Sequence, residues 1–239
     1  MSWGNAGALV WHTHDVDPVW LGQELRAAGF GWVAVYLGSS GMALPPDAGW
    51  IQHFAQASGL PVGGWTVLAG YPHADAGFAA SQLKRYRLSF YIANAELPYQ
   101  SLAGASAKFV ARFRELEPSI PAALSSLCDA RGIGLAPWAK AHFEFLPQAY
   151  VNDFGASVSP AACVTAAKGL FPLSAIHPTV GSYYGMKGWV SAQTYVQLLA
   201  RARTTGFSVF PAETGMTADD WQAYGRAIAA MHIARAVGR

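Results

Sequence analysis

Short, near-continuously apolar runs alternate with amphipathic stretches from one end of the chain to the other. The runs are Ala8–His12, Gly31–Leu37, Val62–Leu68, Leu88–Ala93, Ile120–Ser125, Phe143–Tyr150, Leu170–Ile176 and Phe207–Ala212. They are rich in Val, Ile, Leu, Phe, Trp and Tyr and are flanked by Gly or Pro, as strands buried on both faces should be. Between them, helices are predicted at Val19–Ala28, Ala48–Ala57, Ala74–Tyr86, Ala103–Leu116, Leu135–Ala141, Pro160–Lys168, Ser191–Thr204 and Ala218–Ala236. Helix starts carry capping residues, Asp17 before Pro18 and Thr217 with Asp220 three positions on. Eight strand–helix units result, one every 28 residues or about that, with no linker or composition break between them. The expected fold is α/β, a single (β/α)8 TIM barrel filling residues 1–239 as one domain.

Composition narrows the class. Charged residues make up 13% of the chain, about half the usual quarter, which excludes a disordered tail, a coiled coil and a surface-charged bundle. A net charge of +2 without any Lys/Arg cluster gives no footprint for nucleic acid. The first residues, Met-Ser-Trp-Gly-Asn-Ala-Gly, show neither a basic nor an apolar leader segment, so the chain is expected to be cytoplasmic as made. The long charge-free stretch from Ala48 to Ala74 is interrupted by Gln52, His53, Gln56, Ser58 and Pro61, and reads as helix plus strand instead of a membrane span. Cys128 and Cys163 offer neither a disulfide framework nor a metal cluster and read as small buried hydrophobes.

In a parallel barrel, chemistry collects where strands end and the following loops begin. Those ends carry His12, His14, Asp15 and Asp17, then Tyr36, then Trp65, Tyr71 and His73, then Asn94, Glu96 and Tyr99. Further on they carry Ser125 and Asp129, Gln148, Tyr150, Asn152 and Asp153, His177 and Tyr183, and finally Glu213. A ring of carboxylates among aromatic side chains suits carbohydrate chemistry. One carboxyl protonates the leaving oxygen, a second attacks or activates water, and flat rings cover the apolar face of a sugar. Asp17, before Pro18, reads as a helix cap. The pair His12 and His14 also resembles the HxH opening of metal-dependent amidohydrolases, but the later ligands of that centre are missing, so no metal is expected. Strand alternation is expected to send both imidazoles to one side, with a shared hydrogen bond to Asp15 or to a neighbouring strand.

Several strings resemble one family. Gly7-Ala8-Leu9-Val10 leading to Asp15, Phe30 to Tyr36, Asn94-Ala95-Glu96, Leu146 to Asn152 and Gly206 to Phe210 resemble lysozyme-type, peptidoglycan-cleaving glycoside-hydrolase barrels. They also resemble barrel domains of minor tail proteins of actinobacterial phages. The resemblance implies Glu96 as general acid and Tyr150 as a substrate-facing aromatic. It matches Asp15 to the first-strand acid, while Asn94 stands where an Asp is expected. The reading is therefore a glycoside-hydrolase-like barrel that acts on or binds a cell-wall polysaccharide, with no cofactor. Its candidate catalytic residues are Glu96, Asp15 and Glu213, and its candidate substrate-binding residues are Tyr36, Trp65, Asn94, Gln148, Tyr150 and Asn152. The alternative is a non-catalytic, carbohydrate-binding part of a virion tail with other tail proteins as partners. An active enzyme would use a second carboxylate across the barrel mouth, at the longer separation that favours inversion.

Overall fold

The computed structural model describes residues 2–44, 46–213 and 216–237. The chain runs through β1 (Gly7–Val10), α1 (Pro18–Ala27), β2 (Trp32–Tyr36), β3 (Gly38–Ser39), β4 (Met42–Ala43), α2 (Ala48–Ser58) and β5 (Val62–Val67). It continues through α3 (Pro72–Tyr86), β6 (Tyr91–Asn94), α4 (Leu97–Gln100), α5 (Ala105–Leu116), β7 (Ala122–Leu127), α6 (Ala136–Lys140) and β8 (Glu144–Gln148). The last elements are α7 (Val151–Phe154), α8 (Pro160–Ala167), β9 (Thr179–Gly181), α9 (Ala192–Ala202), β10 (Ser208–Phe210) and α10 (Ala218–Val237). Eight strands close a parallel barrel in the order β1-β10-β9-β8-β7-β6-β5-β2, while β3 and β4 form a small antiparallel hairpin beyond β2. This is the expected (β/α)8 barrel. The expected caps are also present: Asp17 accepts from the N–H of Trp20, and Thr217 and Asp220 bond each other reciprocally.

Side-chain alternation along the strands sorts two cores. Val33 and Val35 of β2 face the helices in the large outer layer. Trp32, Ala34 and Tyr36 of the same strand join Trp3, Leu9, Trp65, Phe90, Ile92, Ala123 and Leu146 inside the barrel. At the N-terminal end the rings of Trp3, Trp32 and Phe90 meet edge to face, with centroids 5.3–5.5 Å apart. Two glycines make room for them. A Cβ on Gly7 would lie 2.0 Å from the Trp32 ring, and one on Gly63 would lie 2.3 Å from the ring of Phe90. This end of the barrel is plugged, so only the C-terminal end can open to a ligand.

Two expectations are corrected. The seventh strand is Thr179–Gly181 and not Leu170–Ile176. Within the apolar run, Leu173–Ala175 forms a 3-10 turn and both Leu170 and Leu173 are exposed, whereas β9 buries a polar residue, Thr179, whose hydroxyl lies 2.8 Å from that of Ser208 on β10. The β8–β9 seam is thin as a result, with Gln148 and Thr179 as its one register pair and a single bridge from Phe145 to Ile176 below it. His177 consequently precedes its strand. It is buried at the closed end, 3.2 Å from Glu144. The second correction concerns Cys128 and Cys163, which are buried as expected but joined by a disulfide that ties the loop after β7 to α8.

The plug makes a direct stability test. Gly7→Ala forces a methyl into the Trp32 ring and should cost about 1–3 kcal/mol through overpacking. Urea unfolding of the variant should show a lower midpoint with an unchanged slope.

Candidate functional site

β6 ends at Asn94, which stands in register with Ser125 of β7, and Glu96 follows two residues later. Gln148 is the last residue of β8. Their side chains meet over the open end of the barrel. The Gln148 amide donates to Asn94 Oδ1 and to Glu96 Oε1, both at 2.9 Å, and reaches Ser125 Oγ at 3.5 Å. Asn94 Nδ2 donates to the same Glu96 oxygen at 3.0 Å. Two amides thus hold one carboxylate oxygen and leave Oε2 without a protein partner among the described residues.

This polar cluster lies on one side of a cavity of about 250 Å³ whose other walls are mainly aromatic. Tyr36 and Trp65 pack with centroids 4.3 Å apart, and the Trp65 indole is fixed by donating to the carbonyl of Val10 at 3.1 Å. Phe210 stacks on Tyr150 at 5.9 Å and leans on Trp11 at 5.6 Å. Burial pushes the Tyr150 hydroxyl well above its ordinary value, with the neighbouring Tyr183 and Glu96 adding to the shift, and burial raises Tyr36 as well. Both phenols therefore stay protonated at neutral pH and can donate a hydrogen bond.

Of the residues expected at the site, Glu96, Asn94, Gln148, Tyr36, Trp65 and Tyr150 line this cavity. The other three lie at the same end but outside it. Asp15 is exposed at the end of the turn Thr13–Asp15, 3.4 Å from the His14 imidazole. Glu213 is committed to backbone: its Oε1 accepts from the N–H groups of Trp11 and His12 at 2.8 and 2.9 Å, while burial raises its carboxyl above the usual range. Asn152 is fully buried. It accepts from the Tyr195 hydroxyl at 2.6 Å and donates to the carbonyl of Tyr183 at 3.1 Å, which binds the loop after β9 to α7. Asp153 holds that same loop through the Tyr183 hydroxyl and the N–H of Met186. His12, His14 and Asp15 do converge, but through the 3-10 turn and not through strand alternation, since β1 ends at Val10.

Two contributions were not expected. Trp11 and Phe210 are cavity walls, and the signal for Trp11 is an aromatic residue directly after a strand. Asp75 is buried and accepts four hydrogen bonds, from Ser40 Oγ (2.6 Å), Tyr99 Oη (2.9 Å), and the N–H groups of Tyr71 (3.0 Å) and Ala69 (3.2 Å). It therefore clamps the loops after β2, β5 and β6 together. Its signal was an acid in the first turn behind Pro72. Several apolar side chains on the segments after the strands are exposed: Met42 after β2, Tyr71 after β5, Leu97 after β6, and Tyr184 and Trp189 after β9.

Asp75→Ala leaves buried donors without an acceptor and should destabilise the protein by about 2–4 kcal/mol. Calorimetry should show the lower Tm, and hydrogen exchange should rise first in the loops after β2, β5 and β6.

No family model matches the chain, and no curated protein matches it in sequence. Solved structures do. A class V chitinase from Nicotiana tobaccum superposes with a TM-score of 0.69 at 6% identity, covering 94% of this chain and 98% of that one. A chitinase from Chromobacterium violaceum gives 0.65 at 14% identity, covering 95% and 99%. The spore cortex-lytic enzyme SleL of Bacillus cereus gives 0.65 at 9% identity, covering 92% and 73%. At such identities the shared property is the fold, and the fold is the TIM barrel found in these glycoside hydrolases.

Proposed function

We propose that the barrel binds and cleaves a polymer of N-acetylated amino sugars, with Glu96 as the proton donor. The observation that carries this reading is that Glu96 is the one carboxylate among the described residues lining the cavity, surrounded by amides and phenols. Glycosidases with two carboxylates place them about 5–5.5 Å apart for retention or about 6.5–9.5 Å apart for inversion. Here the three acids that could be partners do not line the cavity: Asp15 lies in the turn beside His14, Glu213 accepts from backbone N–H groups and Asp153 from the Tyr183 hydroxyl. The expected inverting pair therefore has no support at this site. Substrate-assisted cleavage needs only one protein carboxyl, because the sugar supplies the nucleophile.

In that scheme the acetamido oxygen attacks its own anomeric carbon while Glu96 gives its proton to the leaving glycosidic oxygen. Water then opens the cyclic intermediate, and Glu96 takes back a proton. Two successive inversions give net retention. Asn94, Gln148 and the protonated Tyr150 hydroxyl offer hydrogen bonds to the acetamido group, and Trp65, Tyr36 and Phe210 offer faces for the ring. The structural neighbours described as chitinases and as a cortex-lytic enzyme support a glycan of this class. The lysozyme-type and tail-protein resemblance supports bacterial cell-wall glycan as the polymer and a phage particle as the setting. The Cys128–Cys163 disulfide supports action outside a reducing cytoplasm.

A second reading, binding without turnover, is favoured by Asn94, an amide that donates to Glu96 where the resemblance expects a carboxylic acid. One experiment separates the two. Purified protein incubated with N-acetylglucosamine oligomers and with peptidoglycan should release reducing ends that keep their anomeric configuration, read by NMR. Glu96→Gln should lower turnover about 10²–10⁴-fold while oligomer binding persists. Binding with no cleavage in either protein establishes the second reading, and no binding removes both.

A further inference from the structure

Beside the cavity, at the end of β1, the backbone turns sharply through Thr13–Asp15. The turn is closed by the N–H of Asp15 donating to the carbonyl of His12 at 3.2 Å. Its start is pinned by the half-buried Glu213, which accepts from the N–H groups of both Trp11 and His12. On this fixed backbone, one ligand atom from each of His12, His14 and Asp15 lies within 4.8 Å of the others. The two imidazole centroids are 5.4 Å apart, and His14 Nε2 is 3.4 Å from Asp15 Oδ1. The indole of Trp11 stacks on the His12 ring, with centroids 5.3 Å apart and planes 13° from parallel.

We propose that His12, His14 and Asp15 form a binding site for a divalent transition metal of the zinc class, on the rim of the glycan cavity. Two imidazoles and one carboxylate are the donor set that zinc takes when a coordination position stays open to water or to a ligand. Zinc–nitrogen bonds of about 2.0–2.1 Å put tetrahedral ligand atoms about 3.3 Å apart, so the present spacing must close by an ångström or so. His14 and Asp15 are exposed, and rotation about their side-chain bonds closes it without disturbing the core. The site differs from the amidohydrolase centre considered for His12 and His14, because all its ligands come from one turn and none from the later strands. Its neighbour is functional. Trp11 lies against the metal-binding imidazole on one side and forms part of the cavity wall on the other. A bound ion would hold this wall in place and present an open coordination position at the mouth.

The test uses untagged protein stripped with chelator and titrated calorimetrically with Zn²⁺ alone. One ion per chain should bind with micromolar or tighter affinity, and tryptophan fluorescence should change as it does. His14→Gln and Asp15→Asn alter exposed side chains, so both variants should fold with the parental circular dichroism. Each should weaken zinc binding at least tenfold, whereas His53→Gln, in α2 and outside the cluster, should leave it unchanged. No binding by the parent, or equal binding by the parent and both rim variants, overturns the site. Because the readout is metal affinity, the result stands apart from whether Glu96 cleaves glycan.

Discussion

The space inside the barrel is the constraint on which the rest depends. Eight parallel strands enclose a volume that their own side chains must fill. Trp3, Trp32 and Phe90 fill its N-terminal end so tightly that their neighbours Gly7 and Gly63 have no room for a methyl group. Since that end is filled, the polar side chains buried in it pair with one another, as His177 does with Glu144 and Thr179 with Ser208. Near the other end Asn94, Ser125 and Gln148 bond one another and Glu96 beside an open cavity. The position of the site follows from the packing of the plug.

The loops above the site depend on carboxylates that do no chemistry. Asp75 gathers three loops, Glu213 joins the end of β10 to the end of β1, and Asp153 holds the loop after β9. In a chain with 14 acidic residues this is a large share devoted to holding backbone in place. Hydrogen bonds to charged acceptors are stronger than neutral ones, and the first turn of a helix, where Asp75 sits, favours negative charge further. The outcome is one carboxylate with a free oxygen inside a cavity whose walls are braced by the others.

Much of the fold was legible because buried parallel strands announce themselves as apolar runs, and seven of the eight lie where the runs lie. β9 was not, because its contribution is a hydroxyl pair, Thr179 with Ser208, while the apolar residues upstream of it turn outward. Glu96, Gln148 and Tyr150 were legible as polar or aromatic residues ending central strands. Glu213 and Asn152 carry the same sequence signature, and only three-dimensional contacts show their polar atoms consumed by Trp11, His12, Tyr183 and Tyr195. The disulfide was illegible for a similar reason. Its cysteines lie 35 residues apart in neighbouring units, and closeness in space between adjacent loops and helices leaves no periodicity in the chain.

The thin seam between β8 and β9 has a dynamic consequence. Its one register pair includes Gln148, and the amide of Gln148 is also what joins Glu96 to Asn94. Local opening of a structure begins where backbone pairing is sparsest. Parting this seam would carry Gln148 away with β8 and dismantle the polar cluster in the same motion. A molecule that grips Gln148 gains only from the closed form, so its binding draws the population toward a sealed wall. Breathing of the barrel and occupancy of the cavity are therefore two readings of one equilibrium, with Gln148 as the hinge pin between them.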